Sequence, residues 1–279
     1  MTDTMIAPGR ETVRAADRVA AARRHVTLGE TVAQTLTMAW RALKKMRRNP
    51  EQFFDVALQP ILFTAMFAFI FGGAIAGDVQ SYLPLMIPGI LAQTVLTTCM
   101  ATGTQLREDM EKGVFDRFKS LPIARIAPLA GPMVADLLRY TIAATLTFGM
   151  GLVMGYRPGG GAGGVLAAIL LAIFTGWSLA WVFTYVGTIA RSAQAVQGIS
   201  MMILFPLTFL SNAFVPVETL PGWLAAFVRV NPVSHLVTAA RDLANTGTVS
   251  GAVAWTLLAS LIVIAIFAPL SVRSYKRHL

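Results

Sequence analysis

Asp136 and Arg139 stand three residues apart inside a long apolar run, and no other such run in the chain carries a charge. At that spacing a carboxylate and a guanidinium share one helix face. They either neutralise each other or close the inner end of a polar route. Other reactive side chains are sparse. Cys99 is the sole cysteine; it lies in an apolar run and reads as a small packing residue with no partner for an internal disulfide. His25, His235 and His278 are too scattered for metal-ligand spacing. No G-x-x-x-x-G-K-[ST] motif occurs, and Gly159–Gly164 lacks the Lys and Ser/Thr of a phosphate cradle, so the chain has no P-loop with which to bind ATP. Thr94, Thr97, Thr98, Thr102 and Thr104 form a hydroxyl-rich stretch. Membrane threonines mostly bond back to their own helix or to a neighbour. The nucleophile–base or metal constellation of an intramembrane enzyme is missing.

The elements that hold these residues are set by composition. The 279-residue chain is 55% hydrophobic and 13% charged, with mean hydropathy +0.63. Six apolar runs are about long enough to cross a bilayer: 56–76, 83–106, 132–155, 164–190, 196–215 and 253–272. A soluble bundle would alternate polar and apolar faces within each run, and these runs do not. The expected fold is all-α, a polytopic membrane protein with six transmembrane helices.

Between the second and third runs, Arg107–Lys119 packs eight charges into thirteen residues. So dense an island cannot lie in hydrocarbon and must face solvent. Its mixture of charges with Val114, Phe115 and Phe118 around Gly113 suits a short helix docked against another protein. Basic residues set the orientation. Ten of the 23 precede the first run, and Arg107, Lys112, Arg117, Lys119 and Arg125 follow the second. The alternate connections hold few, so both termini are expected in the cytoplasm. The formal charge of +9 is thus a topology signal and gives no reason to invoke nucleic acid. The N-terminal 55 residues are charged and polar and do not read as a secretory signal.

Leu28, Val32, Leu36, Ala39, Trp40, Leu43 and Met46 recur at helical spacing, with Arg41, Lys44, Lys45, Arg47 and Arg48 crowding the end. This reads as an amphipathic helix at the cytoplasmic interface, Trp40 at headgroup depth, or else as a charge cluster that only sets orientation. Asn49-Pro50-Glu51 and Asn231-Pro232 each look like an N-cap followed by a first-turn proline. The apolar pieces 221–228 and 232–240 are too short to span; they are expected either as an extracellular re-entrant hairpin or as a pair lying on the surface. The resulting division is a mobile cytoplasmic tail over 1–27, an interfacial helix over 28–48, a six-span domain over 49–272 and a cytoplasmic tail over 273–279. Within the six-span domain lie a cytoplasmic segment at 107–131 and an extracellular hairpin at 216–252.

Glu111-Lys-Gly-Val-Phe-Asp-Arg-Phe-Lys-Ser-Leu-Pro122 resembles the cytoplasmic segment of type-2 ABC exporter permeases, and within that family the daunorubicin/doxorubicin resistance membrane proteins. So do Pro50-Glu-Gln, Phe71-Gly-Gly-Ala-Ile-Ala-Gly77, Phe205-Pro-Leu-Thr-Phe-Leu-Ser-Asn212, Pro221-Gly-Trp-Leu, Asn231-Pro-Val-Ser-His-Leu-Val-Thr-Ala and Phe267-Ala-Pro-Leu. The likeness runs from about Ala39 to the C-terminus. It implies a bacterial plasma-membrane permease subunit, not itself an enzyme, that holds no cofactor. Two permease chains, identical or closely related, would work with two copies of a cytoplasmic ATPase that binds ATP and magnesium. The resemblance implies contact with the ATPase through the interfacial helix (Trp40, Arg41, Lys44, Lys45) and through Glu108, Glu111, Gly113, Phe115, Asp116, Arg117 and Phe118. It also implies a route lined by spans one, two and five, with Phe63, Phe67, Thr94, Thr97, Met201, Phe205 and Phe209 as candidates, each of which lipid contact or packing also explains. The implied cargo is an amphipathic small molecule such as an antibiotic; relatives with the same scaffold export lipids or glycoconjugates.

Independently of that likeness, a membrane domain without an ATP site can be driven by a partner only through its cytoplasmic surfaces. An ion-coupled secondary exporter would be expected to carry ionisable groups near the midplane, and five of the six runs have none.

Overall fold

The structure, a computed structural model, describes residues 27–48, 50–114, 124 and 126–277. Nearly all of the tail expected over 1–27, the Asn49 cap, and Phe115, Asp116, Arg117 and Phe118 lie outside the described residues, as do His25 and His278. Nine α-helices, and no strand, occur among the described residues. They are α1 (Leu28–Arg48), α2 (Pro50–Ala76), α3 (Val79–Glu111), α4 (Ala127–Val153), α5 (Gly161–Ile189), α6 (Ala193–Phe209), α7 (Gly222–Val230), α8 (Pro232–Thr246) and α9 (Gly251–Arg277).

Local chemistry sets many of the helix ends. Thr27 and Glu30 form a reciprocal capping box at α1, with Thr27 N donating to Glu30 Oε2 at 2.9 Å and Glu30 N to Thr27 Oγ1 at 3.3 Å. Asp78 caps α3 by accepting from Ser81 N at 2.8 Å. These hydrogen bonds hold its carboxyl below the usual carboxylate range. Ser192 caps α6, and Gly247, at φ +70, ends α8 in the left-handed conformation that glycine adopts without a Cβ penalty.

Four helices are long and apolar enough to cross a membrane: α2 from Val56, α3, α5 and α9 up to Tyr275. α4 is 27 residues long but carries Asp136 and Arg139. α6 has only 17 residues, about 25 Å against the roughly 30 Å of a hydrocarbon core. The run 196–215 is therefore not one helix, as the sequence led us to expect. Pro206 removes a backbone donor, α6 ends at Phe209, and Leu210–Val215 turns back in irregular backbone.

α3 is the axis of the molecule. Its 33 residues reach about 50 Å, and it packs against α2, α4, α5, α6 and α8. Tyr82, Leu83, Met86, Ile87, Ile90 and Leu91 are fully buried, as expected of a helix that is apolar all round. Gly103 on α3 and Gly187 on α5 let two backbones meet. A Cβ on Gly103 would stand 2.2 Å from the Phe183 carbonyl oxygen, and one on Gly187 2.6 Å from that of Gly103. α9 lies outermost against α5 and α8, and hydroxyls secure it: Ser178 to the Ser260 carbonyl at 2.8 Å and Ser271 to the Trp181 carbonyl at 3.0 Å.

α8 is buried where α3 begins, with Leu236, Val237, Ala239, Ala240 and Ala244 fully covered. Polar side chains tie it down. Pro88 has no N–H for the Pro84 carbonyl, and Asn245 Nδ2 donates to that carbonyl at 2.9 Å. Arg241 Nη2 reaches the carbonyls of Leu85 and Asn212 at 3.0 and 2.9 Å. Tyr156, whose phenol burial pushes up to about 12, is a permanent donor to Asn245 Oδ1.

Asn231 joins three segments. Its Oδ1 accepts from Val233 N at 2.9 Å, as the sequence reading of an N-cap requires. Its Nδ2 donates to the carbonyls of Leu207 and Leu210, both at 2.8 Å, closing the end of α6. Asn231→Ala is expected to lower stability by at least about 2 kcal/mol, because buried groups lose their partners. Asn231→Asp, which keeps the acceptor but not the donors, should fall between. Thermal unfolding of the purified protein in detergent checks both; equal stability of all three forms would refute the joint role.

Candidate functional site

At the end of the bundle opposite α8, α3 carries Arg107, Glu108, Asp109 and Glu111 out of the apolar core. The short helix expected over Arg107–Lys119 is corrected in its first part: residues 107–111 continue α3 without a break, Lys112 and Gly113 turn, with Gly113 at φ +66, and 115–119 lie outside the described residues. Helix propagation adds a hydrogen bond for each residue it fixes, so extending an existing helix is easier than nucleating another.

The charges at this end hold neighbouring elements. Glu111 Oε1 accepts from Arg107 Nε at 3.3 Å and from Ala193 N, in the first turn of α6, at 3.1 Å. Arg107 Nη2 donates to the Arg191 carbonyl at 3.0 Å. α3 is thereby fastened to the start of α6. Asp109 pairs with Lys45 of α1 at 3.1 Å, and Glu108 with Lys112 at 3.2 Å. These last two pairs are exposed and of small energetic weight singly.

α1 is more than a helix lying on a surface. It docks along α4 through Ala39 and Met46, which are buried, and Gly131 brings the α4 backbone against it; a Cβ there would stand 2.4 Å from Met38 Cβ. Gln34 Oε1 accepts from Ala124 N at 2.6 Å. Val32, Leu36 and Trp40 are left exposed in an adjoining stripe, and Arg41, Lys44 and Lys45 are exposed as well.

Under α1, the Asp136–Arg139 pair is buried at 3.2 Å. Thr102 of α3 donates to Asp136 Oδ2 at 2.6 Å, and Arg139 Nε meets Met46 Sδ at 3.3 Å. The pair therefore joins α1, α3 and α4. Sequence spacing placed the two on one helix face and left two roles open; the structure pairs them with each other, and nothing in the spacing pointed to Thr102 or Met46.

The expected pathway residues separate into three groups. Phe67 and Thr94 are buried in packing, Phe67 stacked on Phe214 with ring centroids 4.4 Å apart and flanked by Phe63 and Phe71. Phe205 and Phe209 stack on each other, also at 4.4 Å, on the exposed side of α6. Thr97 and Met201 line a cavity of about 340 Å³ between α2, α3 and α6. Gln59, Thr104, Gln105, Glu108, Arg139 and Gln197 also line it, and sequence reasoning passed over the three glutamines. The signal was present: Thr97, Thr104, Gln105 and Glu108 recur on one helical face of α3. Several hydroxyls do bond back to their own helix, as Thr97 does to the Gln93 carbonyl and Thr98 to that of Thr94, both at 2.8 Å.

Cys99 is buried and its thiol donates to the Leu96 carbonyl. His235 stacks near Trp255. No group of three or more metal-ligating side chains stands together among the described residues.

Residues 33–244 match the ABC-2 type transporter family. The chain is 41% identical over 245 residues to the daunorubicin resistance ABC transporter permease protein of Streptomyces coeruleorubidus, covering 88% of this chain and 87% of that one. It is 27% identical over 230 residues to the probable doxorubicin resistance ABC transporter permease protein DrrC of Mycobacterium tuberculosis, covering 81% and 83% of the two chains. With the doxorubicin resistance permease DrrB of the same organism the identity is 28% over 189 residues, 67% of this chain and 65% of that one.

Proposed function

The chain belongs to the ABC-2 type transporter family, and from that premise we propose that it exports an amphipathic drug or antibiotic, driven by a separate ATPase. The assembly in this reading holds two permease chains and two ATPase chains, with ATP and magnesium bound by the latter. α4 and α6 complete a six-span bundle in which α6 is extended by the irregular segment after it, and α7–α8 form the re-entrant hairpin on the outer side. The distribution of Lys and Arg supports placing both termini in the cytoplasm.

One observation carries the mechanical part. α3 is a single helix that runs from the buried α8 joint to the charged end, where Glu111 and Arg107 fasten it to α6. A force applied just past Glu111 acts on a rigid lever through the core. Phe115 and Phe118, the aromatic anchors of that contact, follow Glu111 in sequence, with Asp116 and Arg117 setting register. The cavity lined by Thr97 and Met201 is the entry for substrate. The relatives' drug-resistance names favour a drug over a lipid or glycoconjugate as cargo. An ion-coupled mechanism is disfavoured, because the buried charges within the bundle, Asp136 and Arg139, are paired with each other.

Vesicles holding this chain and its ATPase should accumulate an anthracycline when ATP is supplied, undiminished by a protonophore. Glu111→Lys repels Arg107 and removes the acceptor for Ala193 N. It is expected to cut transport at least tenfold at normal membrane levels. Protonophore-sensitive uptake without ATP would overturn the proposal, and normal export by Glu111→Lys would remove the lever.

A further inference from the structure

We infer that the cavity between α2, α3 and α6 selects its ligand through uncharged carbonyl and hydroxyl groups, read by side-chain amides, and not through a cationic group. The inference rests on the reading of this cavity as the entry for substrate and deepens it by naming what is recognised. The cavity holds about 340 Å³, within the range of small-molecule sites. Gln59 of α2, Gln105 of α3 and Gln197 of α6 line it, one from each wall. None of the three amides has a hydrogen-bond partner among the described residues. An amide carries two donors and an acceptor, so three of them on three helices can meet a carbonyl and a hydroxyl in several poses.

The rest of the lining sharpens the choice. Thr97 and Thr98 donate their hydroxyl protons to the carbonyls of Gln93 and Thr94, both at 2.8 Å, and so offer the cavity lone pairs only. Donors for a ligand carbonyl therefore come chiefly from the glutamines. The two ionised groups of the lining are already matched, Glu108 with Lys112 and Arg139 with Asp136, each at 3.2 Å. An incoming ammonium would have to displace Lys112 and share the cavity with the Arg139 guanidinium, whereas a neutral ligand meets neither obstacle. Val56, Met100 and Met201 supply an adaptable apolar wall. A charged lining is found instead in the cavity of about 280 Å³ beneath α1, where Lys45 pairs with Asp109 and Arg139 with Asp136.

Gln93 carries the same chemistry one step deeper. It lies one turn along α3 from Thr97, on the same helix face. Its side chain is buried, and the amide oxygen has no hydrogen-bond partner among the described residues. Native proteins rarely leave such a group unmatched. A ligand hydroxyl that has left Gln105 and Thr97 would find its next acceptor there.

The test uses the intact purified chain in detergent, without ATPase or ATP, and reads anthracycline binding by fluorescence polarisation. The parent drug carries an ammonium; its N-acetylated form keeps every ring carbonyl and hydroxyl but is neutral. The two are expected to bind within about fivefold of each other, the most that an exposed ion pair contributes. Tetraphenylphosphonium, a lipophilic cation with neither carbonyl nor hydroxyl, should displace the drug at least about tenfold more weakly. Gln105→Leu with Gln197→Leu should weaken both anthracyclines about twenty-five-fold, each hydrogen bond between uncharged groups contributing roughly fivefold. Gln80→Leu with Gln194→Leu removes two exposed amides that do not line the cavity and should leave binding within about twofold of wild type. Binding of the parent alone, displacement by the phosphonium as tight as by the parent, or equal weakening in the two double variants would overturn this inference and leave the drug reading standing. Binding of neither anthracycline to the wild-type chain would overturn both.

Discussion

Asp136→Ala is expected to reduce folded protein in the membrane to a small fraction of the wild-type amount. Asp136 and Arg139 are 4% and 5% exposed, and the carboxylate accepts from both Arg139 Nη1 and the Thr102 hydroxyl. Removing one member of a buried ion pair strands the other charge and costs about 3–5 kcal/mol, whereas replacing both with apolar residues of similar size is often neutral. Whole proteins are stable by only about 5–15 kcal/mol, so the single change consumes much of the margin. Asp136→Leu combined with Arg139→Met should therefore recover most of the folded material. Size-exclusion profiles of a fluorescent fusion measure this directly. Wild-type amounts of the single variant, or a double variant no better than the single, would show that the pair is not what holds α1, α3 and α4 together.

Gly103→Val should be nearly as damaging, for a steric reason. The first added carbon would stand 2.2 Å from the Phe183 carbonyl oxygen, and backbone atoms on two packed helices cannot move aside as a flexible side chain can. α3 and α5 must separate along their crossing, at a cost of about 3 kcal/mol, the upper part of the range for overpacking. Gly198→Ala is the matched control. Nothing lies within 4 Å of the Cβ it would add, and alanine is the better helix former by about 1 kcal/mol. Thermal unfolding in detergent should show Gly103→Val far below wild type and Gly198→Ala at or above it. A Gly103→Val protein as stable as wild type would mean that the two backbones do not touch.

Much of the helical inventory was legible because its causes are local. The amphipathic repeat from Leu28 to Met46 marks α1 within two residues of its observed end, since 3.6-residue periodicity is a property of one segment. Asn231-Pro232 marks the start of α8 for the same reason: cap and first-turn proline act within four residues. The placing of Asp136 and Arg139 on one face follows from one turn of one helix. The family resemblance, carried by motifs such as Glu111–Pro122, was likewise readable without coordinates and agrees with the family match over residues 33–244.

Where segments meet was not legible in this way. Uniform hydrophobicity over 196–215 conceals that the chain leaves the helix at Phe209, because irregular backbone is tolerable only if another element supplies its partners, here Asn231 and Arg241 from residues further along the chain. Apolar composition likewise cannot separate the buried Phe67 from the exposed Phe205. Gly103 and Gly187 look like any other glycines until α3 and α5 are crossed. Periodicity, capping and charge density are decided by neighbours in the chain, and they determined the class, most of the helices and the shared face of Asp136 and Arg139. The joints at Asn231 and Gly103, the continuation of α3 through Arg107–Glu111 and the two cavities were decided only by tertiary packing, because each depends on atoms brought together from distant positions in the chain.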